Sequence, residues 1–517
     1  MPRDSPALPG SGLVLDRNST IPLYQQLYEQ MRWSIEAGQL PAGTRLPATR
    51  TLAKELGVSR NTVLVAYDRL LAEGYLDGRV GSGTVVASRK PARDEGASPP
   101  RPAARPELRI SRAATRMAEA AAYFTPAHDQ LRYPDRPFTL GVPALDQFPA
   151  KVWGHLLLRA SHQLTGALYT HRDPAGYWPL RKGIAAMLGL MRGVRCTPEQ
   201  VIVQPSAQTA VHMVAMTLLE PGDQVLVEDP GLQAIRGALH SAGVRLCPVP
   251  VDAEGMCIDV GAERYPDARM AVVTPNNHFP LSVRMSEARR RRLLDWARER
   301  DGWVVEDDYD GEFWSQNPGP PLHQTDAEGR AIYVGTFSKI LFPGMCLAYL
   351  VVPPDLAQVA AAVQRATVNS LNILTQAALA EFIDGNHLAR HVRRMRGIYA
   401  ERGEALVDGL RAKLGGFVTV TDAPPGTHLV AWTPDDTDER RLAQLSRESR
   451  LRVYPLSSFA DEPDRLGRGL VLGYAATPPE KILSGVDRLA MVVERYTGSR
   501  FPTGGRDVRN PGMRRSI

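Results

Sequence analysis

The sequence predicts a two-part protein: a small helical head that ends in a hairpin, then a large α/β domain with a mainly parallel sheet. Three observations carry this prediction. The chain has 517 residues, more than one core accommodates, because single hydrophobic cores stop growing near roughly 250–300 residues. Residues 20–88 are densely patterned, whereas 89–116 are rich in Pro, Ala and Arg with little periodic apolar content. From about 137 to 498, short Val/Ile-rich runs alternate with helical patterns, as expected for parallel strands covered on both faces by crossover helices.

Composition narrows the class. The chain carries 62 Lys+Arg against 56 Asp+Glu, a formal charge of +6, with 43% hydrophobic residues. No uninterrupted apolar stretch reaches the roughly 18 residues of a membrane span, and the opening MPRDSPALPGSG lacks a secretory apolar core. A cytoplasmic protein without a membrane partner is expected. Cys196, Cys247, Cys257 and Cys346 are scattered without C-x2-C spacing, so reduced thiols are expected, with no zinc site and no disulfide framework. The expected boundaries are a flexible N-terminus over 1–19, the head over 20–88, a linker over 89–136, the large domain over 137–498 and a disordered tail over 499–517.

In the head, Tyr24, Leu27, Tyr28, Met31 and Ile35 fall on one helical face, and Gly38, Pro41, Gly43 and Pro47 then break the helix. ATRTLAKELG (48–57) gives a second helix with Leu52, Ala53 and Leu56 inward. Gly57 supplies a left-handed turn, and Ser59 caps a third helix running to about Glu73. Two short helices meeting at a glycine turn form a helix-turn-helix. The third helix presents Arg60, Asn61 and Thr62 in its first turn, the end by which a recognition helix enters the major groove. YLDGRVGSGTVVA (75–87) predicts a two-stranded hairpin whose Gly81 and Gly83 allow close backbone approach to a phosphate. Taken singly, each of these features also occurs in folds that never touch DNA.

Together, the residues from IPLYQQLYEQMRWSIEAGQLP through SRNTVLVAYDRLLAEGYL to GSGT closely resemble the winged helix of GntR-type bacterial regulators. The resemblance implies an operator in double-stranded DNA, contacted by Arg50, Ser59, Arg60, Asn61 and Thr62, with wing glycines Gly81 and Gly83 beside it. Leu64 stands where several members of the wider family carry a further DNA-contacting Arg. The charge distribution is informative here. Residues 1–87 hold nine basic against eight acidic residues, while 88–116 hold eight against three. A nearly neutral head must read DNA through a few placed side chains, with the tether adding salt-sensitive affinity.

In the large domain, GTFSK (335–339) ends one expected strand, and EDDYD (306–310) ends another, Asp307 lying 32 residues before Lys339. A Lys amine that condenses with an aldehyde and a carboxylate that keeps a pyridine nitrogen protonated are what pyridoxal phosphate requires. Ligands in open α/β sheets bind outside the carboxyl ends of strands. Ser206, Ala207 and Gln208 follow the strand VIVQ (201–204) and open a helix, a natural phosphate site, and Thr336 and Ser338 add hydroxyls. Taken bare, a Lys after Ser is most often surface decoration.

The ordered set YTHRDPAGYWPLR, SAQ, VEDPG, VTPNNHFP, EDDYDGEF and GTFSKILFPG resembles a fold type I, pyridoxal phosphate-dependent aminotransferase-like domain with a smaller C-terminal α+β subdomain. Joined to a winged helix, it is the pairing of the MocR subfamily of GntR regulators. The resemblance implies that Lys339 binds the aldehyde, Asp307 the pyridine nitrogen and Tyr309 the ring oxygen. Ser206, Ala207, Gln208, Thr336 and Ser338 would surround the phosphate, and Asn277 would also belong to the cofactor site. Five positions depart from the pattern. Cys346 replaces an Arg that neutralises the phosphate, Leu232 an aromatic that stacks on the ring, Asn277-His278 a His-Gln pair, and Val471 the Arg that grips an effector carboxylate in some members. The implied protein is a homodimeric transcription regulator, not an enzyme, that senses pyridoxal phosphate or an amine linked to it. The competing readings are an active aminotransferase carrying a DNA-binding head, and a DNA-binding protein whose large domain only dimerises.

Overall fold

The computed structural model describes residues 13, 15–17, 19, 21–79, 83–87, 109–132, 135–163, 166, 173–313, 319–422 and 426–498. The chain divides into two compact units, Met1–Arg109 and Ile110–Ile517. The expected tail over 499–517, the tether over 89–108 and Gly81 of the wing lie outside the described residues.

The first unit contains α1 (Leu23–Glu36), α2 (Thr49–Glu55) and α3 (Arg60–Ala72), followed by β1 (Leu76–Arg79) and β2 (Gly83–Val86). Leu27, Tyr28 and Met31 bury the inward face of α1, while Tyr24, expected on that face, is exposed. Gln26 is buried instead, because its amide donates to the carbonyls of Asp16 and Ile21. Gly57 turns the chain between α2 and α3 at φ +63°, a conformation that costs glycine little. Ser59 then accepts the Thr62 N–H at 3.1 Å and caps α3, worth about 1 kcal/mol. Val63, Ala66, Tyr67 and Leu70 point into the core, and the antiparallel wing adds Leu76 and Val86 to it. The expectation of a flexible stretch over 1–19 needs correction at its end. Leu13 and Leu15 pack on the same core, and the Asp16 N–H donates to Gln26 at 2.9 Å, so this apolar pair finds a surface to bury against.

The second unit opens with α4 (Arg112–Arg132) and α5 (Ala150–Gln163), then α6 (Trp178–Arg192), β3 (Val201–Gln204), α7 (Ala207–Leu218), β4 (Gln224–Asp229) and α8 (Gln233–Ala242). Next come β5 (Arg245–Asp252), β6 (Gly255–Met256), α9 (Ile258–Arg264), β7 (Ala268–Val273), α10 (Glu287–Glu299) and β8 (Trp303–Asp307). After the short α11 (Leu322–Thr325) follow β9 (Ala331–Thr336), β10 (Ala348–Val351), α12 (Ala357–Thr367), α13 (Ile373–Asp384) and α14 (His387–Leu414). The C-terminal part holds β11 (His428–Trp432), α15 (Glu439–Glu448), β12 (Tyr454–Pro455), β13 (Gly469–Gly473) and α16 (Pro479–Thr497).

The large sheet has the order β3-β10-β9-β8-β7-β4-β5-β6. Its centre, β9-β8-β7-β4-β5, is parallel, and β10 runs antiparallel to both neighbours. Every residue of β3, β9 and β10 is buried, which explains why these strands read as continuous apolar runs. Strand β5, RLCPVPVD, was not among the expected strands, because Pro248 and Pro250 argue against a central strand. It lies near the sheet edge beside the two-residue β6, where a missing N–H is tolerated. A second sheet, β11-β13-β12, is antiparallel and forms the expected small α+β part.

The linker expected over 89–136 also needs correction. Residues 112–132 are helical, and α4 lies along α8: the Tyr123 and His240 ring centroids are 5.9 Å apart, and Arg116 Nε donates to Ser241 O at 3.5 Å. RAATRMAEAAA is rich in strong helix formers, a signal that the neighbouring prolines masked. No helix among the described residues is long and apolar enough to cross a membrane.

Candidate cofactor cavity and nucleic-acid interface

The carboxyl ends of β3, β8 and β9 converge on one cavity of about 300 Å³. Lys339, Asp307, Tyr309, Ser206, Ala207, Gln208, Thr336 and Ser338 all line it. Strand alternation explains why Asp307, among three consecutive acids, is the one that faces the cavity. Glu306 and Asp308 face away, where Asn276 Nδ2 donates to both at 3.3 and 2.9 Å. Asp308 also accepts from Arg192 Nε at 2.8 Å and from the Tyr333 hydroxyl at 2.6 Å. Arg192 had no local signal in the sequence, since it comes from α6, 116 residues away.

Burial sets the charges of the site. It pushes the Asp307 carboxyl up to about 7, helped by Asp308 and opposed by Lys339. Burial likewise lowers the Lys339 ammonium from its usual range, against the pull of Asp307 and Asp310. Lys339 Nζ donates to Gly141 O at 2.7 Å. His428, also on the cavity wall, is lowered to about 4 by burial and is therefore neutral. Among the described residues that line the cavity, two buried polar atoms have no partner: Asp307 Oδ1 and the Tyr309 hydroxyl. Such orphans are costly unless a ligand satisfies them.

At the other end, Ser206 caps α7 by accepting the Thr209 N–H at 3.1 Å, while the Ser206 N–H donates to Thr209 Oγ1 at 3.0 Å. The amides of Ala207 and Gln208 open the helix without intrahelical acceptors, a ready anion site. Cys346 is exposed at the rim, held at φ +52°, and Leu232 gives the cavity an aliphatic face.

Asn277, also expected in the cofactor site, is not among the residues that line the cavity. Its Nδ2 donates to Asp310 Oδ2 at 2.7 Å, and its Oδ1 is buried without a partner. Val471 is fully buried among Leu140, Val430, Leu456 and Phe459. Sequence reasoning assigned no role to Leu140, Phe279, Thr427, His428, Phe459 and Tyr123 on the cavity wall, which come from five separate stretches of the chain.

On the head, Arg50, Ser59, Arg60 and Asn61 are exposed together at the start of α3 and on α2, and Thr62 is half-buried beside its cap. Arg60 Nε donates to Thr49 Oγ1 at 3.4 Å. Leu64 is exposed, leaving an apolar position on the same helix. In the wing, Gly83 takes φ +88°, and a Cβ there would sit 3.3 Å from Arg45 Nε. Arg45 is thus a further cation beside the wing that sequence reasoning missed.

Comparison with known proteins agrees with this division. Residues 23–86 match the family of bacterial regulatory proteins called gntR, and residues 138–488 match aminotransferase class I and II. The chain is 39% identical over 480 residues to the probable rhizopine catabolism regulatory protein MocR of Rhizobium meliloti, covering 92% of this chain and 95% of that one. It is 30% identical to the HTH-type transcriptional regulator TauR of Rhodobacter capsulatus, covering 94% and 99%. Among solved structures, Pyrococcus horikoshii kynurenine aminotransferase, solved with PMP, superposes with a TM-score of 0.64 at 25% identity, covering 75% of this chain and 96% of that one. The α-aminoadipate aminotransferase LysN of Thermus thermophilus, complexed with N-(5'-phosphopyridoxyl)-L-leucine, gives 0.66 at 25%, covering 74% and 97%. With a gntR head, an aminotransferase class I and II domain and relatives of the same two-part length, the chain belongs to the MocR subfamily of GntR-type transcription regulators, DNA-binding proteins built on an aminotransferase-like domain.

Proposed function

We propose that this regulator is governed by pyridoxal phosphate held through Lys339, and by a small-molecule amine that competes with Lys339 for it. One observation carries the reading: Asp307 Oδ1 and the Tyr309 hydroxyl are buried without partners in the same cavity as Lys339 and the opening amides of α7. The pyridine nitrogen and ring oxygen supply what these two atoms lack. When bound, the cofactor supplies an electrophilic aldehyde carbon on an electron-withdrawing ring. Lys339 provides the amine for that carbon. Asp307, charged once a cation stands beside it, holds the proton on the ring nitrogen. Tyr309 donates to the ring oxygen, and Ser206, Ala207, Gln208, Thr336 and Ser338 hold the phosphate.

Arg50, Ser59, Arg60, Asn61, Thr62 and the wing glycines Gly81 and Gly83 read the operator. Two chains pair as a homodimer in the cytoplasm, so that paired heads meet separated half-sites. The effector acts by binding one arrangement of the dimer more tightly than another, which for typical couplings is worth about 1–3 kcal/mol. Regulation rather than turnover is the proposed role. The complete set of Lys339, Asp307 and Tyr309 favours one second reading, a working aminotransferase, and steady turnover of an amino acid with a keto acid would establish it.

The test is the absorbance of the purified chain with added pyridoxal phosphate. A yellow band that Lys339→Ala abolishes is expected, and identical spectra for the two chains would overturn the cofactor assignment.

A further inference from the structure

We infer that the amine accepted by this cavity has an apolar body and carries no carboxylate. The inference rests on the cofactor reading above and deepens it to a ligand class. Lys339 Nζ lies 2.7 Å from Gly141 O, so an amine that takes its place meets the neighbouring Leu140 at once. Phe279 and Phe459 continue the wall, their rings edge-on with centroids 5.1 Å apart. Phe279 also leans on His428 at 4.9 Å, and His428 Nε2 is engaged with Pro280 O at 3.2 Å. Val471 backs this wall, buried against Leu140 and Phe459. Among the described residues, Lys339 is the one cationic side chain that lines the cavity, which it shares with Asp307.

A carboxylate entering here would give up its hydration and find the Asp307 carboxylate and an apolar wall, with no guanidinium to receive it among the described lining residues. An amine without that carboxylate avoids this cost, and an apolar body gains by covering the phenyl rings. In the exchange, Lys339 Nζ gives up its bond to the aldehyde-derived carbon and the effector nitrogen forms that bond instead. The two protons shed by the incoming ammonium as it forms the double bond end on Nζ, and nothing is oxidised or reduced.

The experiment uses the full chain loaded with pyridoxal phosphate and titrated with 2-phenylethylamine and with L-phenylalanine, which share a body and differ by the carboxylate. The readout is the shift of the absorbance band. Half-saturation by the amine is expected at a concentration about 10- to 100-fold lower, and equal or tighter binding of phenylalanine overturns the inference. Val471→Arg should move the preference toward phenylalanine. Because a buried arginine can prevent folding, Phe459→Ala provides a second arm. It should weaken 2-phenylethylamine about 10-fold relative to methylamine, and an equal effect on both amines overturns the apolar wall. A wild-type chain that shows no band before any amine is added overturns the cofactor reading and this inference with it, so the two failures are distinguishable.

Discussion

Ser59 and Ser206 perform the same local task in very different surroundings. Each caps a helix by accepting an N–H three residues ahead, both at 3.1 Å, and under the proposed function each helix start faces a phosphate. At Ser59 that phosphate belongs to DNA and the helix end stands in the open beside Arg50, Arg60 and Asn61. At Ser206 it belongs to a small cofactor and the helix end opens into a cavity shared with a buried acid and amine. An exposed helix end shares its work with many contacts screened by salt. An enclosed one belongs to a site with few partners, where each group counts for more and burial decides which groups are charged.

The largest effect should come from the acid behind the enclosed site. Asp307→Asn is expected to lower cofactor affinity at least 100-fold, from loss of a charged partner worth about 1.5–3 kcal/mol or more when desolvated, with operator binding by the cofactor-free chain unchanged. Cofactor titration followed by absorbance checks the first part. The same substitution tests the charge state. An unfolded Asp ionises near pH ~3.9, whereas Asp307 in the cofactor-free fold holds its proton to about 7. Between those values the native chain binds a proton that the unfolded chain lacks, so its stability falls as pH rises through the window. Asn removes this share, up to about 4 kcal/mol. The melting advantage of Asp307→Asn should therefore grow from pH 4 to 7 and level off above it, and parallel melting curves would refute the buried acid.

Next in size is Arg60→Ala, which should cost about 1–3 kcal/mol on the operator while leaving the cofactor spectrum untouched. Undiminished binding in a gel shift would remove α3 from the recognition role. Cys346→Arg should tighten the cofactor about 10-fold, since a charge-assisted phosphate contact contributes about 1.5 kcal/mol or more. No change would place the phosphate away from the rim. The smallest effects separate the two serines. Ser206→Ala should weaken the cofactor, and Ser59→Ala the operator, each about fivefold from loss of a cap worth about 1 kcal/mol. Crossed effects in these two titrations would break the parallel.

The head was more legible in the sequence than the cavity. Ser59, Gly57 and the apolar positions of α3 act over three to seven residues and each found its expected place; on α1 the exception is Tyr24, which is exposed while Gln26 is buried by bonding backbone carbonyls. In the large domain the motifs around Asp307, Lys339 and Ser206 were legible because each sits at the end of an apolar strand. Strand β5 was hidden by its prolines, and α4 by the linker around it.

The sequence by itself determined the order of the two parts, the apolar strands, the caps and the Lys–Asp pair, because period, turn chemistry and strand ends are local properties. Only the tertiary structure decided that Asn277 donates to Asp310, that Arg192 neutralises Asp308, and that Leu140, Phe279 and Phe459 share one wall. Those relations join residues up to some 320 positions apart. They follow from which strands lie side by side and which face each side chain takes, and no local pattern encodes that.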